Sequence, residues 1–362
     1  MIAQRLSLRG FRNLRETSLS FSEGVNVFYG DNAQGKTNIL EAIWMFTGAR
    51  SFRTPREKNL IAFGREQAAL RLSFSSYGRE QEAEITFGEK KSVLLNGVKL
   101  RSSSQLGESF KAVVFAPGHL SLVKDGPHNR RRFLDGALGV IRPHYRALLS
   151  SYGEAVANRN VLLRDIRFHS ELLPMLEVYD RQAAANGARI LHMRRQYVEA
   201  LGRFAGEIYE GLSGGRERLA VSYSSEIEGE GVEEYLLCLK NHFEEDLKNE
   251  STGAGPHLDD ILLTLDGIPA RDFASQGQQR SIVIALKLAE AAMLRQATGE
   301  MPVALFDDVM SELDYERRNY ILNHIEGWQV FITCCTEEIL GGLGRGSRFL
   351  IKSGTVSPEG KD

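Results

Sequence analysis

The chain has 362 residues, room for about two domains of roughly 150 each, and a composition of 42% hydrophobic and 25% charged residues excludes a mostly disordered polypeptide. The formal net charge is −2, so no global field draws the molecule to nucleic acid, and any polyanion contact must use a local basic patch. No run approaches the ~20 apolar residues that cross a bilayer. The start "MIAQRLSLRGF" alternates polar and apolar residues instead of forming a signal peptide, and the three cysteines (Cys238, Cys334, Cys335) cannot build a disulfide framework; a protein of the reducing cytoplasm without membrane contact is expected.

In chain order, "GVNVFYG" (24–30) is a short apolar run ended by glycine, the pattern of a buried strand. "GKTNILEAIWMFTG" follows with helical periodicity, Ile39, Ile43 and Phe46 falling on one face. "ALRLSF", "EAEITF" and "SVLLNGVKL" alternate as strands do, and Asn96-Gly97 predicts a two-residue hairpin turn. "KAVVFAP" (111–117) reads as another strand. From Arg142 to Tyr209 the chain is rich in Leu, Ala, Arg and Glu, with Pro143 and Pro174 as the strong breakers, so several long helices are expected. "RLAVSYS" reads as a strand, "EGEGVEEYLLCLKNHFEEDLKNE" as a turn and one helix, and "STGAGP" as a loop. Strand texture returns in "DILLTLDG", "PVALFDD", "WQVFIT" and "RFLIKSG", with a long helix from about Gln276 to Gln296. The organisation predicted is an α/β unit split by a helical insertion: 1–125, an insertion over 126–254, and 255–362.

"GDNAQGKT", Gly30 to Thr37, fits GxxxxGK[ST] and stands after a buried strand and at the head of a helix, the context a P-loop requires. Gly30 and Gly35 permit backbone shapes that turn successive N–H groups toward phosphate oxygens, and the helix N-terminus adds a partial positive charge. Lys36 can reach β- and γ-phosphates and Thr37 can ligand Mg²⁺. The expected nucleotide contacts are therefore Gly30, Asp31, Asn32, Ala33, Gln34, Gly35, Lys36, Thr37 and Asn38, with ATP and Mg²⁺ as cofactors. The second Mg²⁺ partner is expected from "VALFDD" (303–308), four apolar residues delivering two acids to the end of a strand. Asp307 is placed on the metal. Asp308 is placed beside the attacking water as a general base, making Asp308 and Lys36 the catalytic pair. The eight histidines show no metal-ligand spacing.

Two loops compete as the signature that ABC-type ATPases aim at a γ-phosphate. "LSGG" (212–215) has the usual letters, but "RERLAVSYSS" follows it and alternates like a strand. "SQGQQ" (275–279) opens a long helix with an apolar face of Ile282, Ala285, Leu286, Ala289 and Met293, and that helix leads into the acidic strand. The second position is the one a signature needs, and LSGG is read as a glycine turn between helix and strand.

P-loop, SQGQQ, the acid pair and "SELD" (311–314) stand in the order found in the ABC-type ATPase heads of the SMC group. Together with "LRGFRNL", "SFRT" (51–54), "RRRFLD" (130–135) and "GPHLDD" (255–260), they resemble the RecF family over nearly the whole chain. The resemblance implies an α/β, ABC/SMC-type P-loop ATPase head, a mixed sheet with helices carrying an inserted, mainly helical second lobe. It implies an ATP-dependent homodimer, sequence-independent binding of single- and double-stranded DNA, and weak DNA-dependent ATP hydrolysis. It further implies work with RecO and RecR in loading RecA during recombinational repair and replication restart. On that pattern ATP is sandwiched between protomers: Ser275, Gly277 and Gln278 meet the partner's γ-phosphate, 311–314 form the D-loop, and Arg12, Asn13 and Arg53 match arginine-motif residues that approach the nucleotide.

Several departures bear on the chemistry. Asp308 stands where SMC heads usually have Glu, one methylene shorter and consistent with slow turnover. "FITCCTEE" has no switch histidine, offering Thr333 and Thr336 instead; no Q-loop glutamine stands near "VVFAPGHL"; and Leu258 replaces the basic residue expected in GPHxDD. Arg130, Arg131, Arg132, Arg164, Arg167, Arg194 and Arg195 make the insertion locally basic, and phosphate neutralisation needs no more than such a patch. No base-reading motif is present, and Trp44 and Trp328 lie in apolar periodic runs that suit a core. A transporter motor would demand LSGGQ before the acidic strand, a glutamate base and a switch histidine. An SMC structural head would demand long heptad arms, for which 126–254 is too short. A P-loop kinase would transfer phosphate to an acceptor instead of water.

Overall fold

The computed structural model of the chain describes residues 1–335 and 346–359; Thr336 lies outside the described residues. The chain forms two units, the first made of Met1–Leu120, Gly211–Gly215 and Val283–Asp362, the second of Ser121–Glu210 and Arg216–Ile282. The break near residue 120 stands close to the expected 125/126, but the return to the first unit comes at Val283 and not at 255. The cause is strand pairing: β9 (Leu219–Ser224), β10 (Asp260–Leu265) and β11 (Ile268–Pro269) form one antiparallel sheet in the order β11-β10-β9, which holds the segment after 255 within the second unit.

The first unit contains two six-stranded sheets. One is antiparallel: β1 (Ile2–Arg9), β2 (Thr17–Ser20), β4 (Ala68–Ser76), β5 (Arg79–Phe87), β6 (Ser92–Leu95) and β7 (Val98–Lys99), in the order β2-β1-β4-β5-β6-β7. Its β6–β7 turn is Asn96-Gly97 with φ of 51° and 78°, the two left-handed residues a tight hairpin of this type needs. The other sheet contains β3 (Val25–Tyr29), β8 (Ala112–Phe115), β12 (Val303–Asp307), β13 (Val330–Cys334), β14 (Ser347–Lys352) and β15 (Thr355–Pro358). Its order is β15-β14-β3-β13-β12-β8, parallel throughout except for the β15 edge. Continuous apolar runs become its central strands because both faces are covered: Val303 to Phe306 and Val330 to Ile332 are fully buried. Since β3, β13 and β12 are adjacent and parallel, their C-terminal ends share one edge, where ligands of α/β sheets bind.

Helix α1 (Lys36–Trp44) leaves β3 through the glycine loop and buries Ile39 and Ile43, with Phe46 buried in the short turn that follows, each a side chain whose burial contributes about 1.5–3 kcal/mol. In the second unit lie α2 (Pro127–Ile141), α3 (Pro143–Asp165), the long α4 (Leu173–Ser213) and α5 (Val232–Asn241). Pro143 opens α3 at its first position, and Pro174 sits in the first turn of α4, where no intrahelical N–H is required. The segment expected as one helix after 231 is two, α5 and a shorter piece at Phe243–Asn249, separated at His242. Helix α6 (Gln276–Thr298) precedes β12, and α7 (Tyr315–His324) follows the 311–314 turn. The expected one-sided α6 is buried all round from Ser281 to Ala291, with Lys287 and Glu290 paired to each other inside.

Candidate nucleotide site

The loop between β3 and α1 has the backbone its glycines predict. Gly30 has φ 139° and Gly35 φ 117°; a Cβ at Gly30 would overlap the Ile351 carbonyl, and one at Gly35 would come within 2.8 Å of Leu14 and 2.9 Å of Asn13 Oδ1. Lys36 lies almost wholly buried and donates its ammonium to the loop's own carbonyls, Gly30 O at 2.5 Å and Asp31 O at 2.9 Å. Asp31, Asn32 and Ala33 are exposed at the apex. Gln34 turns the other way, accepting from the Ser353 N–H at 2.6 Å through its side chain and from the Gly354 N–H at 3.2 Å through its carbonyl, so it ties the loop to the β14–β15 hairpin.

The acid pair sits at the shared sheet edge. Thr37 Oγ1 donates to Asp307 Oδ1 at 2.7 Å, and Thr333 Oγ1 donates to the same oxygen at 3.0 Å. Burial pushes the Asp307 carboxyl above the ordinary carboxylate range, opposed by the two hydroxyls and by the Arg53 guanidinium. Asp308 occupies the left-handed region at φ 54°, a conformation Asp and Asn tolerate better than most residues. Its N–H donates to Thr333 Oγ1 at 2.9 Å, and its Oδ1 accepts from Ser311 Oγ at 2.9 Å. Thr333 thus ties the Asp307 carboxylate to the Asp308 backbone N–H. The sequence offers it as a substitute for histidine but does not show this link.

Around α1 runs a second polar chain. Arg12 makes a bidentate pair with the fully buried Glu41, at 2.8 and 2.7 Å. Ser51 donates to the same carboxylate, and Arg53 donates to Asn38 Oδ1. Asn38 in turn donates to Asn13 Oδ1 at 2.6 Å, and Asn13 reaches the Ala33 carbonyl at 3.4 Å. Arg12, Asn13, Asn38 and Arg53 are therefore gathered at the P-loop helix, with the Arg12 guanidinium committed to Glu41. The sequence signal for Glu41 is an acid in the middle of the apolar run "NILEAIW".

The two signature candidates differ as their positions predict. Ser275 and Gln278 form a reciprocal cap at the head of α6: Ser275 N–H donates to Gln278 Oε1 at 2.6 Å, and Gln278 N–H donates to Ser275 Oγ at 3.3 Å. The Ser275 hydroxyl is exposed and keeps its own proton for an acceptor oxygen. Gly277 lies in the first turn of α6, and the Gln278 amide donates to Glu217 at 2.6 Å. LSGG instead ends α4, with Gly214 and Gly215 at φ 64° and 74° turning the chain toward β9.

Within the second unit the expected basic patch divides between interior and surface. Arg130 is buried and holds Asp260 through two hydrogen bonds at 2.7 and 2.8 Å, and Arg131 donates to the Asp259 carbonyl at 2.8 Å. Arg194 is 1% exposed and donates to Asp135 at 2.7 Å, Tyr145 at 2.9 Å and the Pro256 carbonyl at 2.6 Å. Arg195 donates to the Gly229 carbonyl at 2.7 Å. GPHLDD, one of the segments that carry the resemblance, is the centre of this buried network: Tyr223 donates to Asp259 at 2.6 Å, and Tyr152 meets His257 at 2.6 Å. Arg132, Arg164 and Arg167 remain exposed. Consecutive helix positions point about 100° apart, so an arginine run necessarily splits between interior and solvent.

Comparison with known proteins agrees with this architecture. Residues 2–351 match the family described as RecF/RecN/SMC N terminal domain. A "DNA replication and repair protein RecF" from Agathobacter rectalis is 37% identical over 92% of both chains, and one from Acetivibrio thermocellus is 35% identical over 97% of this chain and 98% of its own. Among solved structures, the recombination mediator protein RecF-ATP of the RecFOR pathway superposes with a TM-score of 0.90 at 35% identity, covering 99% of this chain and 98% of that one. An Smc head domain with an extended coiled coil, derived from Pyrococcus furiosus, shares the fold at a TM-score of 0.59 and 16% identity. With the P-loop, the acid-tipped strand and the capped SQGQQ helix in place, the chain is an ABC/SMC-type ATPase head and belongs to the RecF family.

Proposed function

We propose that this chain binds ATP with Mg²⁺, dimerises on it across two composite sites, and uses slow hydrolysis to time its hold on DNA during recombinational repair. The observation that carries this reading is the Thr37–Asp307 contact at 2.7 Å on the P-loop side of the sheet edge. Among the described residues no group of three or more His, Cys, Asp or Glu could hold a metal unaided. One buried carboxylate and one hydroxyl suit an ion that brings phosphate oxygens and water as its remaining ligands, which is Mg²⁺ on a nucleotide. Bound Mg²⁺ would draw off the negative charge that builds on the β,γ-bridging and terminal oxygens.

The remaining work belongs to the chain. Lys36 exchanges the Gly30 and Asp31 carbonyls for β- and γ-phosphate oxygens. Ser311 holds the Asp308 carboxylate in one orientation, ready to take a proton from the attacking water. Ser275 and Gly277 of one protomer approach the γ-phosphate held by the other's P-loop. We assign the ATPase lobe to the first unit and the mainly helical lobe to the second, with 255–282, including the signature head of α6, at the end of the second. RecO and RecR as partners, RecA loading as outcome, and binding of single- and double-stranded DNA without sequence preference come with the RecF relationship.

Asp308→Asn tests the assignment of the base. Asn tolerates the left-handed backbone at 308, so the variant should fold and bind Mg²⁺-ATP while turnover drops by about a hundredfold or more, the usual worth of a positioned base. Asp307→Asn should instead weaken the Mg²⁺ dependence of ATP binding itself. Turnover of Asp308→Asn at the wild-type rate, in a steady-state phosphate-release assay, would remove Asp308 from the chemistry.

A further inference from the structure

The connection from α1 to β4 carries a feature that neither the nucleotide site nor the core uses. Phe63 is 107% exposed, its ring wholly in water. It stands at the second position of a tight turn, Ala62-Phe63-Gly64-Arg65, closed by the Arg65 N–H on the Ala62 carbonyl at 3.0 Å. Gly64 has φ 74° and Phe63 is not in the left-handed region, which makes this a type II turn. Such a turn demands glycine at its third position but nothing aromatic at its second. The fold therefore has no need of the ring, and the ring gains nothing from the fold.

The turn is nevertheless held firmly. Ala62 N–H donates to the Gly10 carbonyl at 2.9 Å, Arg12 N–H donates to the Leu60 carbonyl at 2.8 Å, and Phe11 pairs with Ile61 as an isolated β-bridge. A ring presented on an anchored turn loses little freedom when it meets a ligand. Around it the connection is basic: Arg50, Arg53, Arg56, Lys58 and Arg65 are exposed, against Glu57 and Glu66. Glu57 is neutralised by Lys91 at 2.6 Å, while Arg56, Lys58 and Arg65 form no ion pair among the described residues. An exposed aromatic ring flanked by unpaired cations matches a polyanion whose flat units are open to stacking, which describes a single strand of nucleic acid and not a fully paired duplex.

We propose that the Phe63 turn is a single-strand contact of this protein, with an unpaired base stacked on the phenyl ring and the neighbouring phosphates on Arg65, Arg56 and Lys58. It rests on the DNA-binding reading above and gives it a location other than the arginines of the second unit. A single-stranded reach at this turn distinguishes gapped or tailed DNA from closed duplex without reading sequence.

The test is fluorescence anisotropy of labelled oligothymidylate and of a blunt duplex, across a salt series with Mg²⁺-ATP present. Phe63→Ala should bind oligothymidylate about tenfold more weakly, the size of one base–aromatic stack, with an unchanged salt slope and unchanged duplex affinity. Phe63→Trp should retain the single-strand affinity. Arg65→Ala should lower the single-strand salt slope by about 0.7. Because the ring touches nothing in the fold, the thermal midpoint of Phe63→Ala should equal that of the wild type. Wild-type binding of oligothymidylate by Phe63→Ala, or an equal loss on duplex, overturns the contact while leaving the DNA-binding reading intact. Failure of the wild type to bind either DNA removes both.

Discussion

Lys36→Met should yield a folded protein whose ATP affinity is lower by about a hundredfold or more. The ammonium is shielded from water and rests on two loop carbonyls. It is therefore a preorganised charge with nothing to support in the core. Removing one member of a shielded charge pair typically costs about 3–5 kcal/mol, and here the other member is the nucleotide's phosphate. Methionine keeps the length of the aliphatic stem, so the fold loses little more than two hydrogen bonds, each with a net worth of about 1 kcal/mol. Calorimetric titration with Mg²⁺-ATP and a thermal melt separate the two effects. Wild-type affinity in a folded Lys36→Met protein would contradict the P-loop assignment.

Arg194→Ala should unfold the second unit at markedly lower temperature. The guanidinium joins Asp135 on α2, Tyr145 on α3 and the Pro256 carbonyl of the GPHLDD segment. Truncation leaves buried acceptors without a donor and Asp135 without its charge partner, a loss of about 3–5 kcal/mol against a total stability of about 5–15 kcal/mol. A drop in midpoint on the order of 10 °C follows for a domain of this size. Arg164→Ala, at an exposed position on α3, should change stability by less than about 0.5 kcal/mol. Equal melting of the two variants would show that burial of Arg194 is not structural.

These cases mark what the sequence could and could not tell. The local structure of the candidate nucleotide site was legible because it is short-range: a strand, two glycines, Lys36 and Thr37 within one short stretch, and an apolar strand ending at Asp307. What each of LSGG and SQGQQ opens was also legible: left-handed Gly214 and Gly215 end a helix while Ser275 and Gln278 start one. The arginines were not legible. Whether Arg130 faces water or Asp260 depends on a residue far along the chain, and composition records the density of charge but not its partner. The same non-local pairing joins β10 to β9 and keeps 255–282 in the second unit, against a boundary drawn from texture. Arg12 is placed near the nucleotide by its match to an arginine motif, and the motif does not show that its guanidinium pairs with Glu41 on α1.

The central claim, a dimer whose two sites each combine one chain's P-loop with the other chain's signature, is tested most directly by sedimentation velocity of mixed variants. A two-fold pair exchanges the same surfaces in both directions. Lys36→Met lacks a competent P-loop, and Ser275→Arg places a cation and its bulk where the partner's γ-phosphate must dock. In their heterodimer both defects fall in one site and the other site is intact. Ser213→Ala, at the buried end of α4, serves as the control for LSGG. With Mg²⁺-ATP the wild type and Ser213→Ala should sediment as dimers, each defective variant alone as monomers, and their equimolar mixture partly as dimers. Monomers in every sample, or dimers of Ser275→Arg alone, would contradict the composite site.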